Sequence, residues 1–556
     1  MSEINLAALH EAIAERDPDR ECLVWGERRF SWAQVTDRTR RLANALRDRG
    51  LGNVVERSEL ANHESGQDHL ALYLTNGNEY LEGMLGAYKA RVAPFNVNYR
   101  YVAEELTYLL TDAKATGIVV HSRFAPTLAS ILADLPDLRV IIQVPDDSNG
   151  ALLPGAEWYE DVLAAASPAR PDVEWSPDDL YILYTGGTTG MPKGVLWRQA
   201  DAAVAAFGIR NTPADAEFES IEAIADWATG DKPGLRFLPA PPFMHGAGHW
   251  NAFSAWGRGD PVIIQDITDR LDPADVFATV EREAVSFLLI VGDAYAQPML
   301  DELEANPGRY DLSSLRIVLS GGAALSAPRK AKLLELLPQV TVVDGVGSSE
   351  AGGQLRQSTV KGGAASTGTF EPDPNSVIVS DDLTHLLEAG HDEPGWLGKR
   401  GRIPLGYLGD AAKTAATFPE IEGRRYSVPG DRARLRTDGL IELLGRESVT
   451  VNSGGEKIFV EEVEAALMHH PSVYDVVVAG RPSDRWGSEV VAIVRLRDGA
   501  AADEDGLLEE AAKHLARYKL PKAIIFTPEV VRSPAGKADY RWAKAVAVGA
   551  AEGAAT

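Results

Sequence analysis

"YTGGTTGMPKGV", Tyr184 to Val195, follows directly on the apolar residues Tyr181-Ile182-Leu183 and crowds glycines, three threonines and one lysine into a single turn of chain. Closely spaced glycines, hydroxyls and a cation make a loop that can wrap an anion through backbone N–H groups, Thr hydroxyls and an ammonium. Two familiar phosphate loops are excluded by spacing. The P-loop requires Lys directly after Gly and a hydroxyl directly after Lys, but Lys193 follows Pro192 and precedes Gly194. The dinucleotide fingerprint G-x-G-x-x-G fails as well, because Gly186 and Gly187 are adjacent and Pro192 is badly placed for the helix that motif opens.

Around this loop the chain reads as a large α/β protein. Its 556 residues allow roughly three to four compact units at about 150 residues each. Apolar, Val/Ile-rich runs recur at Leu70–Thr75, Gly117–Ser122, Val140–Val144, Val285–Gly292, Leu315–Gly322 and Val340–Gly345. Runs apolar on successive residues belong to strands covered on both faces, as in parallel sheets. The texture changes after Gly439–Ser448: a polar loop, a helix with Phe459, Val463 and Leu467 at four-residue spacing, then strands at Tyr474–Gly480, Val490–Leu496 and Lys522–Pro528. We expect a large domain over 1–444, a hinge over 445–449, a small α+β lid domain over 450–545, and an unstructured tail over 546–556.

Charge and cysteine content bound the partners. With 55 Lys and Arg against 81 Asp and Glu, the net charge of -26 repels a nucleic-acid backbone. The arginines at 28, 29, 38, 40 and 41 read as a solvated helix face. A single cysteine, Cys22, excludes an intrachain disulfide and fits a reducing, cytoplasmic setting. The N-terminus has no secretory pattern, and the longest uncharged span, Phe237 to Gly257, is broken by prolines and histidines, so no membrane span is expected. Self-association is left open.

The whole string Thr185 to Gly194 resembles the phosphate-binding signature of the adenylate-forming superfamily, which includes acyl-CoA synthetases, peptide-synthetase adenylation domains and luciferases. Six further segments are similar to that family's motifs, in its order: "PPFMHGAG" (Pro241–Gly248), "LSGGAAL" (Leu319–Leu325), "GVGSSE" (Gly345–Glu350), "PLGYLGDAAKTAATF" (Pro404–Phe418) with "YSVPGDRARL" (Tyr426–Leu435), "GRES…SGGEKIFVEEVE" (Gly445–Glu464), and "VRSPAGK" (Val531–Lys537). Each alone is weak, since Gly-Asp pairs mark turns and lone charged residues are usually solvated. Their order is what carries weight.

The resemblance implies ATP, Mg²⁺ and coenzyme A as ligands. Thr185, Gly186, Gly187, Thr188, Thr189, Gly190 and Lys193 would wrap phosphates, with Gly322 and Ala323 against adenine. Ser349 would lie near the α-phosphate, Glu350 would hold the metal, and Asp431 and Arg446 would serve the nucleotide. His245, Gly292 and Gly347 would line the acyl pocket, and Gly454 and Gly455 would face the thiol substrate. Lys537 would act on the carboxylate and bridging oxygens after the lid folds over the cleft, and would rotate away for thioester formation. Attack of a carboxylate on the α-phosphorus of ATP brings two anions together, so cations and N–H groups are needed there.

The sequence departs from the family pattern at Val346, where an aromatic residue is usual, at Ser448 in the hinge, and at Ser349, which replaces Thr but keeps the hydroxyl. An amino-acid substrate would need a buried acid to hold its ammonium, and the position aligned with that acid is Gly246. Phe243, Met244, Trp250, Phe253, Trp256 and Phe287–Leu300 suit an apolar tail or an ordinary core equally. The string "VGDAYAQPMLDEL" together with the opening loop is similar to actinobacterial acyl-CoA synthetases for fatty acids and steroid side-chain acids. A hydrophobic acid is therefore the expected substrate. Transfer to a carrier-protein thiol, luciferase-type oxidation, and a catalytically silent nucleotide binder are the alternatives.

Overall fold

The computed structural model describes residues 3–52, 55–185, 191–211, 216–446, 449–453, 456–483, 486–533 and 536–554. Among them the large domain is built on two main sheets. The smaller, five-stranded sheet is all parallel, with Ala93–Asn96, His69–Tyr73, Ala115–His121, Val140–Val144 and Glu157–Trp158 in that spatial order. His69–Tyr73 is buried at every residue, as a strand covered on both faces must be. Helix Asn78–Ala90 is buried all round for the same reason, wedged in the core beside that sheet.

The larger sheet changes character midway. Glu21–Trp25, Val262–Ile264, Phe237–Pro239, Phe287–Ile290, Ile317–Gly321 and Thr341–Ser348 run parallel to one another. From Thr341–Ser348 outward the pairing is antiparallel, through Gly352–Thr359, Thr369–Pro372, Ile441–Arg446 and Asp431–Leu435. The pairing thus changes sense at strand Thr341–Ser348, whose carboxyl end leads directly into Ser349 and Glu350.

The small domain follows Arg446. Strands Val473–Ser483, Gly487–Leu496 and Ala523–Phe526 form its sheet. Helices Val460–Leu467, Glu504–Ala512 and Tyr540–Ala554 cover it, around Val463, Leu467, Val477 and Val491.

Two expectations are corrected. The segment from Val546 is not an unstructured tail: it is helical through Ala554, and Ala547 is buried among Val477, Val491 and Ile493. Its alanines are strong helix formers, and one face finds a core to pack on. The arginines near residue 38 are not a solvated face either. Arg38 pairs with buried Glu82, Arg40 with buried Glu11, and Arg29 with buried Glu283. Among the described residues no helix is long and apolar enough to cross a membrane.

Candidate functional site

The opening loop joins two antiparallel strands, Leu180–Thr185 and Lys193–Arg198, with Thr185 directly opposite Lys193. Gly186, Gly187, Thr188, Thr189 and Gly190 lie outside the described residues, as do Gly454, Gly455 and Ser448. The strand Gly406–Tyr407 pairs with Lys193–Arg198 on its other side. That pairing delivers two partners the sequence reading did not assign. Asp410 Oδ2 stands 2.7 Å from Lys193 Nζ, and this hydrogen bond raises the lysine's pKa. The Tyr407 hydroxyl donates to Glu350 Oε1 at 2.9 Å.

Glu350 follows the strand Thr341–Ser348, at the sheet junction. Its backbone carbonyl accepts from Ser427 Oγ at 2.5 Å, and the neighbouring Ser349 carbonyl accepts from Trp197 Nε1 at 2.9 Å. The Ser348 hydroxyl is buried with no hydrogen-bond partner among the described residues. Gly347 fits only a residue without a side chain, since a Cβ there would lie 2.5 Å from the Gly352 carbonyl oxygen. Val346, where an aromatic was expected, packs at the edge of the apolar cluster around Leu355 and Phe370.

The adjacent strand end carries Gly322 and Ala323. Gly322 has φ +91°, and Gly292 has φ +49° with a Cβ position 2.4 Å from the Ala324 carbonyl oxygen. These left-handed glycines let the turn entering helix Gly292–Ala305 press on the 322–324 loop. The Gly292 N–H donates to Ser320 Oγ at 3.0 Å, and the Asp293 N–H to the Ala324 carbonyl at 3.0 Å.

His245 caps the start of helix Gly246–Gly257. Its Nε2 is buried without a hydrogen-bond partner. Burial, with the Lys537 and Arg100 cations and the His249 ring adding, pushes its pKa down to about 3, so the ring is neutral at neutral pH. Two asparagines hold this loop. Asn76 accepts from the Phe243 N–H at 2.6 Å and donates to the Pro241 carbonyl at 3.1 Å. Asn96 donates to the carbonyls of Tyr184 and Met244 at 2.8 and 2.7 Å, tying the acyl-side loop to the strand before the glycine loop. Neither asparagine sits in a recognisable motif, and isolated polar residues after strands give no sequence signal.

Asp431 and Arg446 are cross-strand neighbours, with Arg446 Nε donating to Asp431 Oδ1 at 3.0 Å. The small domain brings Lys537 to the same cleft. Gly536, with φ +70°, sits so close to the large domain that a Cβ would lie 2.9 Å from Ala294 Cβ. The Ser533–Lys537 turn is closed by the Gly536 N–H donating to the Ser533 carbonyl at 2.8 Å and the Lys537 N–H donating to Ser533 Oγ at 3.2 Å. Lys537 as a residue keeps solvent-accessible surface. Burial of its ammonium nevertheless lowers its pKa, the Arg446 cation lowers it further, and Glu350 and Asp431 oppose both. Lys537, Glu350, Asp431, Arg446 and His245 thus share one electrostatic neighbourhood drawn from both domains. Arg329 Nη2, donating to the Tyr474 carbonyl at 2.6 Å, and Arg497 Nη2, donating to Gln297 Oε1 at 3.0 Å, fasten the two domains in this orientation.

A cavity of about 300 Å³ opens along this seam beside Tyr99, Arg100, Pro242, Tyr295, Tyr474 and Gly536. The aromatic residues offered earlier for an apolar tail are largely core. Phe243, Met244, Phe253 and Trp256 are buried, and the Trp256 indole donates to the Cys22 carbonyl at 3.0 Å. The His249 ring is held between the Phe243 carbonyl and the Tyr181 hydroxyl, at 2.6 and 2.5 Å. At Gly246 a Cβ would stand tight against the Trp250 and Leu183 side chains, at 3.0 and 3.1 Å.

The family profile described as AMP-binding enzyme matches residues 10–402, and that of the AMP-binding enzyme C-terminal domain matches residues 462–537. The chain belongs to the AMP-binding enzyme family. This AMP-binding enzyme is 54% identical over 541 residues to the medium-chain acyl-CoA ligase Mig of Mycobacterium avium, covering 97% of this chain and 98% of that protein. It is 39% identical over 548 residues to the 3-oxocholest-4-en-26-oate–CoA ligase of Rhodococcus rhodochrous, covering 97% and 95%. Among solved structures, the anthranilate CoA ligase AuaEII in complex with anthranoyl-AMP superimposes with a TM-score of 0.81 at 21% identity, over 99% of this chain and 98% of that one. ATP-bound MatB from Rhodopseudomonas palustris gives 0.79 at 22% identity, over 98% and 99%. These two likenesses establish the two-domain fold. The family and its relatives make the AMP-binding enzyme an acid–thiol ligase.

Proposed function

We propose that the chain is an ATP-dependent acyl-CoA synthetase that activates a hydrophobic carboxylic acid, a medium-chain fatty acid or a steroid side-chain acid. The observation that carries the reading is the gathering of Lys537 from the small domain with Glu350, Asp431, Arg446 and His245 from the large one. The high identity to a protein named for medium-chain acids supports the acid class. The absence of a carboxylate at Gly246 supports a substrate with no ammonium to neutralise.

In the first half-reaction the substrate carboxylate attacks the α-phosphorus of ATP and pyrophosphate leaves. Lys193 exchanges its resting partner Asp410 for phosphate oxygens, and the loop 185–190 supplies N–H and hydroxyl donors. Lys537 faces the oxygens on which negative charge builds. Asp431 accepts from ribose hydroxyls, while Arg446 holds that carboxylate in place. Glu350, aimed by the Tyr407 hydroxyl, fits Mg²⁺, a hard cation that takes oxygen donors and needs few from the protein when phosphates supply the rest. When bound, Mg²⁺ neutralises phosphate charge. Neutral His245 borders the acyl side without adding a charge that an apolar chain would have to desolvate.

In the second half-reaction the small domain turns about residues 445–449, Lys537 leaves, and residues 454–456 face the pantetheine thiol, which attacks the acyl carbonyl and releases AMP. The orientation described above suits the first step, because it sets Lys537 near Glu350 and Asp431. A panel of carboxylic acids assayed for coenzyme A-dependent AMP release tests the reading. Release with medium-chain or steroid acids supports it, and acyl-adenylate formation without transfer to coenzyme A would move the assignment to another acceptor.

A further inference from the structure

The end of strand Ile441–Arg446 and the start of helix Val460–Leu467 meet at one carboxyl group. Gly445 has φ +125°, and a Cβ built on it would stand 2.3 Å from Glu461 Oε2 and 2.9 Å from its Cδ. Only glycine lets the carboxyl reach the backbone here. Glu461 Oε1 accepts from the Arg446 N–H at 3.3 Å. Oε2 is buried and has no hydrogen-bond partner among the described residues. Strand Ile441–Arg446 belongs to the large sheet through its pairing with Asp431–Leu435, whereas Glu461 belongs to the small domain. This contact therefore crosses the joint within two residues of its start.

The geometry points to Glu461 as a positioning residue of adenylate formation: seated against the Gly445–Arg446 peptide, its carboxyl latches the small domain in the orientation that carries Lys537 into the cleft. The inference rests on the two-step reading above, in which that orientation is later abandoned. The seat favours a neutral carboxyl, because a buried carboxylate oxygen without a donor costs more than a buried hydroxyl. Burial pushes Glu461 up to about 7, opposed by its own N–H, the Arg446 N–H and the Arg446 cation, and assisted by Asp431.

The charged and titratable groups facing it are Arg446 and Asp431 from the strand pair, Glu464 on its own helix, and Tyr540 from the last helix. Glu464 accepts from the Val478 N–H at 2.8 Å and faces Arg532 and Asp475, all inside the small domain. Its hydrogen bond lies within the small domain and does not cross the joint. Glu461 alone among these carboxyls exchanges a buried seat on the large domain for solvent.

The sign follows from linkage. Released, Glu461 titrates in the ordinary range near about 4.3. Between there and about 7 the latched orientation holds a proton that the released one does not. The latch is therefore at full strength below this window. It weakens by up to about tenfold per pH unit as pH rises through the window, and is level above it.

Two variants and two readouts test this. Glu461→Gln keeps an oxygen to accept from Arg446 but cannot ionise, and Glu461→Ala removes the latch. Expected for Glu461→Ala is an adenylate-forming rate about tenfold lower with thioester formation from supplied acyl-adenylate unchanged or faster. Expected for Glu461→Gln is near-normal adenylation whose dependence on pH between 5.5 and 7 is flattened relative to the parent. Independently of chemistry, spin labels at exposed Glu304→Cys and Glu509→Cys report the orientation of the domains. Their distance distribution shifts with pH in the parent and stays fixed in Glu461→Gln. Equal slowing of both half-reactions in Glu461→Ala, or a parental pH response in Glu461→Gln, overturns the latch. If the parent forms no acyl-adenylate yet the label distances respond to pH and to residue 461 as described, the functional reading falls and the latch stands. Distances indifferent to both overturn the latch whatever the activity.

Discussion

Replacing Lys537 with alanine separates folding from chemistry. Among the described residues its ammonium makes no hydrogen bond or ion pair, and its recorded bonds are made by backbone atoms, the N–H to Ser533 Oγ and the carbonyl from the Ser533 N–H. Alanine keeps both, so thermal stability should change by less than about 0.5 kcal/mol. The electrostatic loss is larger. Lys537 is a cation on an exposed turn whose ammonium feels Glu350, Asp431 and Arg446, so it stands where charge develops in the transition state. Removing one such donor costs about 10²- to 10³-fold in rate, or about 3–4 kcal/mol. Acid-dependent pyrophosphate exchange should fall by that factor in Lys537→Ala. Conversion of supplied acyl-adenylate and coenzyme A to thioester should stay within about twofold of the parent. A loss shared equally by both half-reactions would refute the assignment, as would undiminished exchange.

Other expectations follow from neighbouring contacts. Tyr407→Phe removes the hydroxyl that aims Glu350, and should raise the Mg²⁺ concentration needed for half-maximal adenylation by about tenfold or more, read from a magnesium titration. Gly292→Ala places a Cβ 2.4 Å from the Ala324 carbonyl oxygen at φ +49°. It should destabilise the protein by at least about 2 kcal/mol, through left-handed strain plus overpacking, measured by denaturant unfolding. His245 is held neutral down to about 3 by burial, whereas the unfolded ring protonates near about 6.5. The unfolded chain therefore gains a proton first, and this histidine destabilises the fold by up to about 1.4 kcal/mol for each pH unit below that value. His245→Gln should flatten the fall in melting temperature between pH 6.5 and 5, and an unchanged slope would contradict the neutral ring.

The parallel strands were legible because burial on both faces leaves consecutive apolar residues, as in Leu70–Tyr73 and Ile118–Val120. The helix beginning at Val460 was legible from Phe459, Val463 and Leu467, a spacing that only one helical face satisfies. The order of the family's segments singled out Glu350, Asp431, Arg446, His245 and Lys537, which the fold brings near one another. What the sequence hid was pairing over long separations. Asp410 opposite Lys193, Tyr407 on Glu350, and Asn76 and Asn96 behind the His245 loop are single polar residues whose partners lie far along the chain. The aromatic residues 243–256 were ambiguous for a related reason: core and acyl pocket demand the same side chains, and only packing distinguishes them. The alanines after Val546 lacked aromatic anchors, yet small side chains suffice against the flat face formed by Val477 and Val491.

The most direct test of the central claim is exchange of labelled pyrophosphate into ATP by the purified chain with Mg²⁺, with and without a medium-chain carboxylic acid. The account predicts exchange that requires the acid and is abolished by removing magnesium. Exchange absent across medium-chain fatty acids and steroid side-chain acids alike would contradict it.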